Sequence, residues 1–326
     1  MTLRTLRLQG LRFLVISLLA LAAVACGGWK SRSTGQPSAT PTPEGVEATI
    51  ISSDLAVGPN RFMVGLWDPA KNALIIDAQL HFRIFKLDGQ GGGTGLKAEV
   101  DARPLTIEKN FTHVHEGGKL ETHGAGVVGI YVAQVGFDSS GQWGVEITGT
   151  ADGRPIGPLR PAFAVAEKSS SIAVGDPAPR TVQTILADVG DISEIDTSNP
   201  PSPHMHSMTI ADAVTSGKPT IIVFATPGFC ITKLCGPSKE AVDALYEKYN
   251  GQANFIHVEP YDLEKARSGQ ELKTLPWIVP EWGLRTEPWI FLVDREGKIA
   301  SKFEGVVSTE ELEAALSALL ASGTRY

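Results

Sequence analysis

Cys230 and Cys235, two of the three cysteines, stand five positions apart between the apolar run ending at Phe224 and the helix-forming segment that opens near Pro237. A strand-to-helix turn readily makes a thiol nucleophilic, because unpaired backbone N–H groups and the positive end of the helix dipole stabilise its thiolate. Lowering a thiol from about 8.5 to about 7 raises its ionised fraction at neutral pH roughly tenfold. Cys235-Gly236-Pro237 ties Cys235 to the helix start, with Pro237 at the first helical position where its missing N–H costs nothing. Cys235 is therefore expected to be the attacking thiol and Cys230 its disulfide partner. The same pair also fits a structural bridge, stabilising by about 2 to 3 kcal/mol on the chain-entropy model, or a pair of metal ligands.

Histidines supply a second set of candidates. His113 and His115, with His123 nearby, and His204 and His206, with Met208, are spaced as His-x-His. In an extended segment, side chains at i and i+2 share a face, so each pair could chelate one ion. Imidazole, thioether and thiol together suit copper. In a polar loop the same side chains are simply solvated. His81 and His257 fall in strand-like segments and read as packed or surface residues.

The third cysteine concerns location. Arg4, Arg7 and Arg12 precede an apolar run from Phe13 to Ala25, too short for the roughly 20 residues of a spanning helix, and small residues lead into Cys26. The layout is that of an export signal over residues 1–26. The segment Ala23-Val24-Ala25-Cys26 resembles a bacterial lipobox with Ala23 where leucine is usual, which implies lipidation at Cys26 and an extracytoplasmic chain anchored to the bacterial membrane. An oxidising compartment permits a disulfide.

The chain has 326 residues, 42% of them hydrophobic, and a formal charge of -7. With no long basic run, nucleic acid is excluded as an expected partner. Gly91 to Gly93 lacks the following helix that a phosphate loop needs and reads as a hairpin tip. Residues 27–45, rich in Gly, Ser, Thr and Pro, read as a flexible tether. Residues 46–166 carry short apolar runs separated by turn signals, the pattern of an all-β sandwich. Within Gln79 to Phe85, Leu80, Phe82 and Ile84 alternate with polar residues, so one face is buried. Residues 167–203, with Ser169 to Ser171 and Pro200 to Pro203, read as a linker or loosely packed arm.

Residues 204–326 switch to an α/β pattern. Strands are expected at Thr220 to Ala225, Asn254 to Val258, Trp289 to Val293 and Ile299 to Phe303. Helices are expected at Ala211 to Thr215, at Pro237 to Tyr249 with Val242, Leu245, Tyr246 and Tyr249 on one face, and after Ser308, which forms a capping box with Glu311. Asp262 to Arg285, with Trp277 and Trp282, reads either as a lid or as an insertion packing its own aromatics.

Two resemblances follow from these segments. Gly129 to Phe137 with Gly141 to Ile147 resembles a late hairpin of bacterial immunoglobulin-like modules. Glu287-Pro288-Trp289-Ile290-Phe291-Leu292-Val293-Asp294, then Gly297, Gly305 and Ser308, resembles the thioredoxin superfamily in order and spacing. Together they imply an immunoglobulin-like sandwich followed by a thioredoxin-like α/β domain, with Pro288 as the family's cis-proline. The cysteine motif departs from the family's Cys-Gly-Pro-Cys, since Ser238 follows Cys235-Gly236-Pro237. Either Cys235 aligns with the family nucleophile, or Phe229-Cys230 does and the turn holds extra residues. No acid lies on Thr220 to Ala225, where many family members keep one.

Three functions are expected from these features. The first is a thiol–disulfide oxidoreductase acting on extracytoplasmic protein thiols or disulfides, with no cofactor required. The second is a copper-binding or copper-delivery protein, loosely similar to Sco-type chaperones. The third is a non-catalytic binding module with a structural disulfide. Oligomeric state is not legible.

Overall fold

A computed structural model describes residues 45–88, 92–114, 120–230 and 233–322. The signal segment with Cys26, the tether up to residue 44, and His115 lie outside the described residues.

The first nine strands are β1 (Glu47–Ile50), β2 (Gly58–Asp68), β3 (Ala73–Leu74), β4 (Gln79–Leu87), β5 (Gly93–Val114), β6 (Leu120–Phe137), β7 (Gly141–Ala151), β8 (Arg154–Leu159) and β9 (Ala162–Val165). All belong to one sheet in the order β1-β2-β6-β5-β4-β7-β8, with β3 on β2 and β9 on β7. Period-two patterning drives it. β4 buries Leu80, Phe82 and Ile84 and leaves Gln79, His81 and Arg83 toward solvent, and Phe62, Phe137, Trp143 and Phe163 pack beside them in one core.

β5 decides the architecture. Its first part pairs β4 up to Ala102, and from Arg103 it pairs β6, so one continuous strand joins both halves of the sheet. A sandwich assigns each strand to one of two sheets, whereas here the sheet curls on itself. Backbone hydrogen bonds from Val57 N–H to Ala166 O (3.0 Å) and from Ala166 N–H to Leu55 O (2.8 Å) nearly close it.

The rest of the chain contributes α1 (Ile210–Thr215), β10 (Thr220–Phe224), α2 (Cys235–Tyr249), β11 (Asn254–Val258), α3 (Leu263–Arg267), β12 (Trp289–Val293), β13 (Ile299–Glu304) and α4 (Thr309–Ser322). A small sheet runs β11-β10-β12-β13, with β10 parallel to β11 and antiparallel to β12. Strands β10 and β12 are buried throughout. Trp282 is fully buried against Phe224 and Phe291, so the segment before β12 packs its own aromatics.

The expected fold class is corrected by this architecture. Strand accounts for 40% and helix for 22% of the structure, and there is no positive sign of a thioredoxin fold. Nine of the thirteen described strands lie in the nearly closed antiparallel sheet. The chain is predominantly β, and it is neither an immunoglobulin-like sandwich nor a sandwich joined to a thioredoxin-like α/β domain. The immunoglobulin-like resemblance rested on one hairpin segment and the thioredoxin-like one on motif order and spacing in the C-terminal part, and such alternation and element order are shared by many architectures and leave closure of the larger sheet undetermined.

Residues 167–203 hold the structure together through polar contacts. Asp54 accepts hydrogen bonds from Ser170 N–H (2.8 Å) and from the hydroxyls of Ser169 and Ser171, and Lys302 of β13 lies 3.7 Å away. Gly283 has φ +69, and a Cβ there would lie 1.8 Å from Ser170 O, so only glycine lets this arm approach.

Arg61 of β2 joins the large sheet to α4. It donates to both carboxylate oxygens of Glu311 (3.0 and 3.1 Å) and to the carbonyls of Glu304 (3.2 Å) and Val306 (2.9 Å). Glu311 N–H is capped by Ser308 Oγ at 3.1 Å, while its carboxylate serves Arg61. Arg103, 3.4 Å from Glu311, would still pair that carboxylate if Arg61 were removed. Arg61→Ala is thus expected to cost about 2 kcal/mol, less than a fully orphaned buried charge. Denaturant unfolding measures it, and an unchanged midpoint would show that the clamp contributes nothing.

Candidate functional site

The cysteine turn leaves β10 at Ala225 and enters α2 at Cys235 itself, two residues before Pro237. Lys233 has φ +61, a left-handed conformation uncommon for a residue with a Cβ. It folds the turn back so that the first helical N–H, that of Cys235, donates to Cys230 Sγ at 3.2 Å. The helix N-terminus is therefore aimed at Cys230 and not at its own cysteine. Both residues are present as thiols.

The two sulfurs sit in different surroundings. Cys230 is half-buried and lines a cavity of about 800 Å³ with Pro200, Pro201, Phe229 and His204. Cys235 is fully buried in the core between α2 and the small sheet. Burial pushes its thiol well up, and its contact with Cys230 adds to that. In this geometry the N–H bond and the dipole would favour a thiolate at Cys230, whereas Cys235, the expected attacking thiol, is the buried one whose thiol is pushed up. Ser238, which follows Cys235-Gly236-Pro237, is buried and donates to Leu234 O (2.8 Å) and Gly305 O (3.2 Å).

Glu287 is the residue that sequence reasoning passed over. One of its carboxylate oxygens and both sulfurs lie within 4.8 Å of one another. Burial raises its carboxyl above the ordinary range, against a hydrogen bond from Tyr261 Oη that lowers it. Pro288 is buried, and the Glu287–Pro288 peptide bond is cis.

Behind the turn lies a buried polar cluster. Asp196 accepts from Ser198 N–H (2.8 Å) and Ser202 N–H (2.9 Å), and it faces His206 Nε2 at 3.2 Å and His257 Nδ1 at 3.6 Å. Burial alone would raise Asp196, but the charge of His257 beside it and the hydrogen bonds of His206 and Ser198 hold it well below the usual carboxylate range. Burial lowers His206. For His257 the same effect is outweighed by Asp196, which leaves it raised. Thr197 N–H donates to Glu259 at 2.8 Å, and Gly228 N–H donates to Thr197 Oγ1 at 2.8 Å, so the arm fixes the cysteine turn.

His204 and His206 do not assemble as spaced. His204 stacks on Tyr246 with ring centroids 3.7 Å apart, while His206 is buried against Asp196 and Met208 packs in another core cluster. His113 lies in β5 opposite Glu121, and its side chain is outside the described residues. His257, read as a packed or surface residue, is buried and faces Asp196. Asp196 carried no sequence signal, because it sits in a polar segment without periodicity.

No family model matches the sequence, and no curated protein matches it. The functional reading accordingly rests on the chain's own residues.

Proposed function

We propose that the chain is an extracytoplasmic, lipid-anchored protein that exchanges thiols and disulfides through Cys230 and Cys235. The observation that carries this reading is the hydrogen bond from the first N–H of α2 to Cys230 Sγ, beside a buried protonated partner thiol and a raised carboxyl. The anchor rests on the basic, then apolar leader ending at Cys26.

The Cys230 thiolate attacks one sulfur of a partner disulfide. A mixed disulfide forms and one partner thiolate leaves. Glu287 then accepts the Cys235 proton, and the resulting thiolate attacks Cys230 Sγ in the mixed disulfide. The second partner thiolate departs, the partner has gained two electrons, and Cys230 and Cys235 are joined. The reverse sequence oxidises a partner dithiol.

The test is the reduction potential of the pair, read by thiol alkylation and mass across a glutathione series. A value between about -270 and -120 mV is expected of an exchange catalyst. One below about -300 mV marks a structural bridge and removes the proposal in favour of a binding module.

A second reading, copper binding, is favoured by one observation: the Cys230, Cys235 and Glu287 ligand atoms lie within 4.8 Å of one another. Two thiolates suit Cu(I). His204 and Met208 are engaged elsewhere.

A further inference from the structure

We propose that Asp196, His206 and His257 form a binding site for one first-row divalent transition ion of the zinc class. The site is separate from the cysteine pair and independent of whether that pair exchanges disulfides.

Tautomer geometry is the first support. His257 Nε2 lies 3.0 Å from Ala225 O, and a carbonyl only accepts, so Nε2 carries the proton. Fixing one ring N–H on a backbone carbonyl is how a metal-ligating histidine is oriented, leaving the other nitrogen's lone pair for the ion. Here that other nitrogen, Nδ1, is buried and has no hydrogen-bond partner among the described residues. It faces Asp196 Oδ1 at 3.6 Å, longer than a hydrogen bond. Nδ1 and this oxygen require a cation between them, and a proton, which Asp196 favours on His257, and a metal ion compete for that place.

Spacing is the second support. Two ligand atoms held about 2.0 to 2.1 Å from a zinc ion at the tetrahedral angle are about 3.3 Å apart. The observed separations are 3.2 Å from His206 Nε2 to Asp196 Oδ2, a hydrogen bond whose proton a bound ion would replace, and 3.6 Å from His257 Nδ1 to Asp196 Oδ1, with one carboxylate oxygen and both nitrogens within 4.8 Å of one another.

Orientation and access complete the case. The N–H groups of Ser198 and Ser202 bond the Asp196 carboxylate and hold it in place whether or not an ion is bound. A cavity of about 560 Å³, lined by His206, His257, Glu259 and Tyr261, gives a route to the site and room for a fourth ligand such as water. Two imidazoles and one carboxylate form a nitrogen and oxygen donor set that suits Zn²⁺, Fe²⁺ or Co²⁺ better than Cu(I).

The test is titration of the full, metal-stripped chain with Co²⁺, followed by visible absorption, alongside Cys230→Ser/Cys235→Ser, His206→Gln and His257→Gln. Visible bands saturating at one equivalent are expected, without intense sulfur-to-cobalt charge transfer. They should persist in the double cysteine variant and weaken at least tenfold in each histidine variant. Three results would each overturn the site: no bands, bands that vanish with the cysteines, or bands indifferent to both histidine substitutions. If the histidine variants fail to fold by circular dichroism, zinc X-ray absorption on the double cysteine variant decides. Two imidazoles in the shell are expected there, and any other shell refutes the assignment.

Discussion

Cys235→Ser is expected to accumulate a covalent mixed disulfide through Cys230, and Cys230→Ser to lose exchange down to the uncatalysed rate. The asymmetry follows from the direction of the first helical N–H. It points at Cys230 Sγ, which is half-buried at the cavity wall, whereas the Cys235 sulfur is sealed in the core and its thiol is pushed up. A partner disulfide can therefore reach Cys230 first, and the sulfur that follows is already placed behind it. With Cys235 replaced by serine, nothing resolves the adduct. Non-reducing electrophoresis with mass identification after mixing with a disulfide-bonded protein separates the two variants. Trapping by Cys230→Ser instead would restore the sequence-based order, with Cys235 as the attacking thiol.

Glu287→Gln is expected to slow exchange by about 10²-fold, the scale of a lost general base, while making the chain more stable at neutral pH. Burial raises the Glu287 carboxyl above its unfolded value of 4.5. Its stabilising contribution is thus fully present below about pH 4.5 and is lost as pH rises through the folded value. Glutamine removes that titration and keeps an acceptor for Tyr261. The variant should therefore gain stability at neutral pH, about 1.4 kcal/mol for every tenfold by which folding weakens the acid, and nothing at low pH. The rate should also lose the part of its pH profile that Glu287 sets. Stopped-flow exchange rates and denaturant midpoints at pH 4 and pH 7 check both halves. Unchanged rates would place the proton acceptor elsewhere.

Much of the secondary structure was legible. Alternation in Gln79 to Phe85, the apolar face of α2 and the Ser308 cap of α4 are local signals, and the structure contains each of them. Architecture was not. Inward and outward alternation is identical in a sandwich and in a closed sheet, and only the passage of β5 between β4 and β6 distinguishes them. The order of elements after residue 204 suggested a family that the whole chain does not support. At the site, the cysteines were visible by type and position, but their roles hang on one backbone angle at Lys233, which no side-chain pattern reports. Asp196 was missed because segments were read by apolarity, and His257 was read as packed or on the surface, without its carboxylate neighbour. A carboxylate in a polar arm and a histidine in a buried strand come together only through packing 61 positions apart.

The seam between Ala56 and Ala166 has a kinetic meaning. It joins positions 110 apart in sequence, and β5 cannot complete either half of its sheet while the other is missing. Loop-closure entropy must be met before those contacts return any free energy, so assembly of this half of the chain is governed by its long-range pairings and belongs to the slow end, milliseconds to seconds, of single-domain folding. The same seam covers the backbone just after β9 with the chain leading into β2, which leaves that stretch unavailable for edge-to-edge association.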